Sequence, residues 1–141
     1  MARIFLSGSL RNPRIPEIAQ SLREGGHIVF DDWFAGGPEA DDWWQKYEAD
    51  RGRTYPEALG GYAANHILSY DRHHIDCSDA VVLVLPCGPS GHLELGYAIG
   101  RGIRGIVLMP EPPIRWDVMY RLADAVVFTV ADALVKLKEA L

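Results

Sequence analysis

At 141 residues, 48% of them hydrophobic and 23% charged, the chain is sized and composed for one soluble domain, residues 1-141, with a single core. Its formal charge of -5, from 14 Lys and Arg against 19 Asp and Glu, argues against a general nucleic-acid or anionic-membrane surface. No apolar stretch approaches the roughly 20 residues of a membrane helix, and two cysteines, Cys77 and Cys87, make neither a disulfide framework nor a zinc site.

The chain opens with a strand candidate, Ala2 to Ser7, followed by the polar loop Gly8-Ser-Leu-Arg-Asn-Pro13. Ile15, Ile18, Ala19 and Leu22 fall at helical spacing, and Gly25-Gly26 closes that helix before a second strand, His27 to Phe30. A Gly-Ser loop between a first strand and a helix suggests a phosphate or hydroxyl site. Ser9 and backbone amides there can donate to an oxyanion while Arg11 adds a bidentate fork. The loop lacks both G-x-G-x-x-G and G-K-[ST], and a plain turn with a solvated arginine stays open.

From Trp33 to Gly61 the composition changes, with Trp33, Trp43, Trp44, Tyr47 and Tyr55 set among acidic residues and the basic pair Arg51 and Arg53. A connection of this length in a small domain is a lid, an interface insert or disorder, and the aromatics speak against disorder. A short helix is expected near Asp41 to Glu48, with an indole on which a flat ring can stack or with aromatics that merely anchor the loop. Pro56 to Cys77 reads as one helix with a broad apolar face, and it carries Asp71. His66, His73 and His74 on it point in different directions, so no metal site is expected.

Ala80 to Leu85 is a short β-branched run of the kind that forms a buried parallel strand, and Gly105 to Met109 is a second. Between them lies Gly88-Pro-Ser-Gly-His-Leu-Glu-Leu-Gly-Tyr-Ala-Ile-Gly-Arg-Gly102, a tight loop leading into a helix. Glu94 is expected in the first turn of that helix, where free N–H groups and the helix dipole hold its pKa down. Gly91 stands where a capping box needs Ser or Thr, which weakens a purely structural reading of Glu94. Pro110-Glu-Pro-Pro113 makes a stiff turn, Arg115 to Tyr120 a short helix, Asp124 to Thr129 the last strand and Ala131 to Leu141 the last helix. Strands alternating with helices define an α/β fold: a flavodoxin-like, Rossmann-like doubly wound sheet of five parallel strands in the order 2-1-3-4-5.

Ser90-Gly-His-Leu-Glu-Leu-Gly-Tyr-Ala98 followed by Gly100-Arg-Gly102 resembles the catalytic motif of the nucleoside 2-deoxyribosyltransferase family, which includes the nucleoside 5'-monophosphate N-hydrolases. Gly8-Ser-Leu-Arg11 is similar to the loop that grips the 5'-phosphate in those hydrolases. Asp71, eight residues before Asp79 and 23 before Glu94, stands where the family has an aspartate near the sugar. Asp117-Val-Met119 lies where the transferases carry an Asn-x-Met that reaches in from a neighbouring subunit. This chain has Asp there, which suits a 5'-hydroxyl better than a 5'-phosphate, whereas Ser9 and Arg11 suit the phosphate.

The resemblance implies that Glu94 is the nucleophile on the anomeric carbon and that Asp71 orients it or handles the proton of the leaving base. It further implies that Ser7, Gly8, Ser9, Arg11, Gly88, Ser90, Gly91, His92, Asp117 and Met119 bind substrate. The expected activity is cleavage of a (2-deoxy)nucleoside's N-glycosidic bond through a glycosyl-Glu94 intermediate, with the sugar passed to another base. Hydrolysis of a 5'-monophosphate is the alternative, a non-catalytic nucleotide sensor the second, and a flavin carrier the last. No metal or organic cofactor is expected, nor a nucleic-acid polymer or membrane partner. The resemblance implies a homodimer or higher homo-oligomer with shared active sites, and the absence of a signal-peptide layout a cytoplasmic protein.

Overall fold

A computed structural model describes residues 1–139. Five parallel strands, β1 (Arg3–Ser7), β2 (Ile28–Phe30), β3 (Ala80–Val84), β4 (Arg104–Leu108) and β5 (Ala125–Val127), form one sheet in the order β2-β1-β3-β4-β5, as expected from the alternating pattern. The period of two along the strands divides the core into two layers. Ile4, Leu6, Val82, Val84, Ile106 and Leu108 face the helices α1 (Ile15–Glu24) and α6 (Val130–Glu139). Phe5, Val81, Leu83 and Val107 face the other side, with Ile75 of α4 (Tyr62–Asp76) and Leu95 and Ala98 of α5 (Pro89–Gly100). Burying each Ile, Leu, Val or Phe side chain among these contributes about 1.5–3 kcal/mol relative to exposure. Strand order reverses between β1 and β3, and the crevice at their carboxyl ends is where such sheets bind ligands. Ser7, the last residue of β1, pairs in register with Leu83 at that crevice.

The segment 33–61 folds into a 3-10 turn (Asp32–Gly36), α2 (Ala40–Asp50) and α3 (Tyr55–Leu59). α3 has the local cause its sequence provides: Thr54 and Glu57 form a complete capping box. Trp33 anchors the segment to the body. Beyond the last β1–β2 pair, Phe5 with Phe30, its indole N–H donates to the Leu6 carbonyl at 2.7 Å, supplying a buried carbonyl with a partner the sheet does not offer.

Several sequence expectations are corrected. The helix expected over Pro56 to Cys77 is two helices, because Gly60 and Gly61 interrupt it. Its apolar face is only locally buried: Ala58 and Ile75 are in the core, whereas Tyr62 is 95% exposed. The buried face of α5 is Gly91, Leu95 and Ala98, with Leu93 pointing outward. Both cysteines are free, Cys77 exposed and Cys87 half-buried. The short helix expected over Arg115 to Tyr120 is a 3-10 helix shifted to Val118–Leu122, and the last two residues of the helix expected over Ala131 to Leu141 lie outside the described residues. Among the described residues no helix is long and apolar enough to cross a membrane.

Candidate active site

The loop after β3 brings α5 back across the carboxyl end of β1. Pro89 occupies the first helical position, where its fixed φ and missing N–H carry no penalty. The helix therefore starts earlier than the sequence suggests, and Glu94 is its sixth residue, in the second turn, beyond the free N–H groups. Its carboxylate instead meets the carboxyl end of β1. Ser7, fully buried at the end of β1, donates its hydroxyl to Glu94 Oε1 at 2.8 Å.

This position reverses the expected electrostatics. Burial lifts the Glu94 pKa from 4.5 to about 7, the Ser7 hydrogen bond pulls it down, and the negative charge of Asp71 pushes it up again. Desolvation outweighs the single hydrogen bond because the helix terminus, which was to stabilise the anion, lies a turn away. Asp71, half-buried on α4, is also pushed up by burial and is partly relieved by His74. His74 is itself held in place by stacking on Phe30, with ring centroids 3.8 Å apart. The two carboxyl groups thus share one electrostatic environment that favours the protonated form of each.

Gly91 is where α5 approaches the sheet most closely. A Cβ there would fall onto Cys87 Sγ, at 2.8 Å from Leu83 Cδ1 and at 3.2 Å from Ser7 Oγ. Close packing therefore requires this glycine, and Gly8, whose Cβ would meet Ile15 Cδ1 at 2.7 Å, is held to glycine in the same way. Ser9, Arg11, Asn12, Pro86, Cys87 and Gly88 line a cavity of about 360 Å³ beside the crevice. Within it Ser9 Oγ accepts from the Arg11 amide at 3.1 Å, and the Arg11 guanidinium reaches Asp42 of α2 at 3.5 Å. Ser90 lines a second cavity, under α2 and α3. Glu94 lines neither of the two; it lies at the crevice, held by Ser7.

His92 is a tie that the sequence does not reveal. Its Nδ1 meets the Gly88 carbonyl at 2.9 Å and its Nε2 the Tyr120 hydroxyl at 2.9 Å. A carbonyl only accepts, so Nδ1 carries the proton and Nε2 accepts from Tyr120. The tie joins α5 to the segment 110–122. Asp117 there spends its carboxylate on the Met119 amide at 2.8 Å, and Met119 is 59% exposed. Among the described residues neither is hydrogen-bonded to Glu94. Among the described residues no three His, Cys, Asp or Glu side chains are grouped to hold a metal ion.

Fold and site together define a doubly wound α/β domain with a half-buried, serine-bonded glutamate at its switch point. No family model matches the sequence, and no curated protein matches it either. Solved structures do share the fold. A 2-deoxyribosyltransferase from Bacillus psychrosaccharolyticus superimposes with a TM-score of 0.63 at 16% identity, over 94% of this chain and 90% of that one. A conserved protein from Enterococcus faecalis V583 does so with a TM-score of 0.67 at 15% identity, over 100% and 99%. The Clostridium botulinum CMP N-glycosidase BcmB gives 0.56 at 18% identity, over 96% and 97%.

Proposed function

We propose that this protein cleaves the N-glycosidic bond of a (2-deoxy)nucleoside through a covalent glycosyl-Glu94 intermediate and passes the sugar to a second base. The observation that carries the reading is the Ser7–Glu94 hydrogen bond at the carboxyl end of the central strands, with the charge of Asp71 felt at the same carboxylate. Its support from outside the chain is the fold shared with a 2-deoxyribosyltransferase and a CMP N-glycosidase. The ionised Glu94 attacks C1' as the bond to the base breaks, and the bonding pair leaves on the base nitrogen. The negative carboxylate stabilises the oxocarbenium-like transition state, and Ser7 fixes which oxygen faces the sugar. Asp71, with its raised pKa, orients the nucleophile or supplies a proton to the departing base. The glycosyl ester is then opened by an incoming base nitrogen, which restores the carboxylate.

A specific observation favours hydrolysis of a 5'-monophosphate as the second reading. The cavity lined by Ser9, Arg11 and Gly88 lies beside the crevice, and Arg11 is held there only by an exposed ion pair of the kind worth less than about 1 kcal/mol, so it can turn to a phosphate. In either case the segment 110–122, with Ile114 fully exposed and Trp116 93% exposed, is an apolar surface suited to a second copy of the chain. Asp117 and Met119 are then contributed to the neighbour's site.

A chromatographic assay of nucleosides and their 5'-monophosphates, each with and without a second free base, tests both readings. Swapped nucleosides are the expected result. Free base released only from monophosphates favours the second reading, and inactivity across the whole panel overturns both.

A further inference from the structure

The indole of Trp33 lies across the carboxyl edge of the sheet, packed against the core layers on both faces. Its N–H donates to the Leu6 carbonyl at 2.7 Å. That carbonyl belongs to the planar Leu6–Ser7 peptide, so holding it fixes the plane from which Ser7 departs. Ser7 has no exposed surface and gives its hydroxyl proton to Glu94 Oε1 at 2.8 Å. A serine hydroxyl turns about its Cα–Cβ bond unless its surroundings choose one rotamer. Here that choice decides which Glu94 oxygen is held and which is left to attack.

Trp33 is itself firmly seated. It stands in the 3-10 turn Asp32–Gly36, directly after Asp31, whose carboxylate is held by Arg23 at 2.6 Å. Arg23 is tied in turn to the Val29 carbonyl of β2 at 3.0 Å. The Phe34 ring packs edge-on against the indole, with centroids 5.9 Å apart. A closely packed donor transmits its position to its acceptor, because the packing leaves little room to absorb a displacement. The groups facing the Glu94 carboxylate are Ser7 of β1, Asp71 of α4 and the Cys87 thiol of the loop after β3. Burial raises the Glu94 pKa, the Ser7 hydrogen bond lowers it and Asp71 raises it, to about 7. A loosened Ser7 therefore leaves its mark as a higher Glu94 pKa, a mark that a loss of stability elsewhere does not make.

We propose that Trp33 is a positioning residue for the nucleophile: its indole N–H holds the Leu6 carbonyl, the Leu6–Ser7 peptide holds the Ser7 hydroxyl on Glu94, and the segment 33–61 thereby sets the attacking oxygen. The inference rests on the function proposed above and adds to it a residue that acts through Ser7 without touching substrate. The test is carbon-13 NMR titration of the Glu94 carboxyl carbon, identified by its absence from Glu94→Gln, in the wild type, Trp33→Phe, Ser7→Ala and the double variant. This readout needs no turnover. Trp33→Phe, which keeps an aromatic ring and deletes the donor, is expected to raise the Glu94 pKa by about 0.5 or more, and Ser7→Ala to raise it at least as far. The double variant is expected to go no further than Ser7→Ala, because both changes act on one hydrogen bond. Benzothienylalanine at position 33 keeps both rings and replaces the N–H by sulfur; it is expected to give the same shift and serves where Trp33→Phe does not fold. In turnover, Trp33→Phe is expected to lower kcat about tenfold with KM little changed. A Glu94 titration unmoved by either change at position 33, or moved equally by it in the Ser7→Ala background, would overturn the proposal. Coupling as expected in a protein that turns over no nucleoside or nucleotide would instead remove the proposed reaction and leave the link from Trp33 to Glu94 standing.

Discussion

Glu94→Gln is expected to lose at least roughly a thousandfold of the turnover and, above neutral pH, to make the protein more stable. Both effects come from one fact. Burial raises the Glu94 pKa from 4.5 to about 7, so between those values the folded chain holds a proton that the unfolded chain has released. The stability tied to that proton is fully present below about pH 4.5, drains away as the pH rises, and is gone above about 7. Glutamine never ionises and keeps an acceptor for Ser7. The variant should therefore match the wild type near pH 4.5 and exceed it by up to about 3 kcal/mol at pH 8, which is read as a melting-temperature difference that opens with pH. In the wild type the same titration gives the acid limb of kcat/KM, rising through about pH 7 as the nucleophile ionises. A Glu94→Gln protein no more stable at pH 8 than the wild type would show that the carboxylate is not buried as described.

Gly91→Ala is expected to cost about 2 kcal/mol of stability, within the range for overpacking a filled core, and roughly a hundredfold in kcat. The new methyl group would fall onto Cys87 Sγ and lie 2.8 Å from Leu83 Cδ1 and 3.2 Å from Ser7 Oγ. Leu83 is fully buried in the central strand, so α5 moves instead, and the 2.8 Å contact from Ser7 to Glu94 moves with it. Gly96, on the same helix with nothing within 4 Å of its Cβ position, is the control. Gly96→Ala should gain about 0.5–1 kcal/mol from helix propensity and leave kcat unchanged. Thermal denaturation and steady-state kinetics of the pair distinguish close packing at Gly91 from a general effect of losing a helical glycine.

The strand order and both core layers were legible because buried parallel strands announce themselves as runs such as Ala80 to Val84, and α1 and α6 carry clean 3.6-residue periodicity. The break at Gly60-Gly61 was masked by apolar residues that continue on both sides of it, and α4 begins after Gly61 with no side-chain cap to announce a second start. For Glu94 the sequence showed a carboxylate near a helix start, which implies a depressed pKa. Its actual pKa depends on Ser7, 87 residues away, and on how deeply α5 lies on the sheet, neither of which has a local signature. His92 with Tyr120, and Arg11 with Asp42, were hidden for the same reason: each is a contact between segments 28 and 31 residues apart. The substrate-end disagreement between Arg11 and Asp117 was visible in the sequence, and within one chain the fold leaves these residues on separate segments.

The most direct measurement is the intact mass of the protein, rapidly quenched in acid during turnover of its best nucleoside or nucleotide and then cleaved into peptides. A mass increase of one sugar residue, or one sugar phosphate from a monophosphate, on the peptide containing Glu94, absent from Glu94→Gln, is the predicted result. Turnover with no adduct on that peptide, or an adduct that persists in Glu94→Gln, would contradict the assignment of Glu94 as the nucleophile.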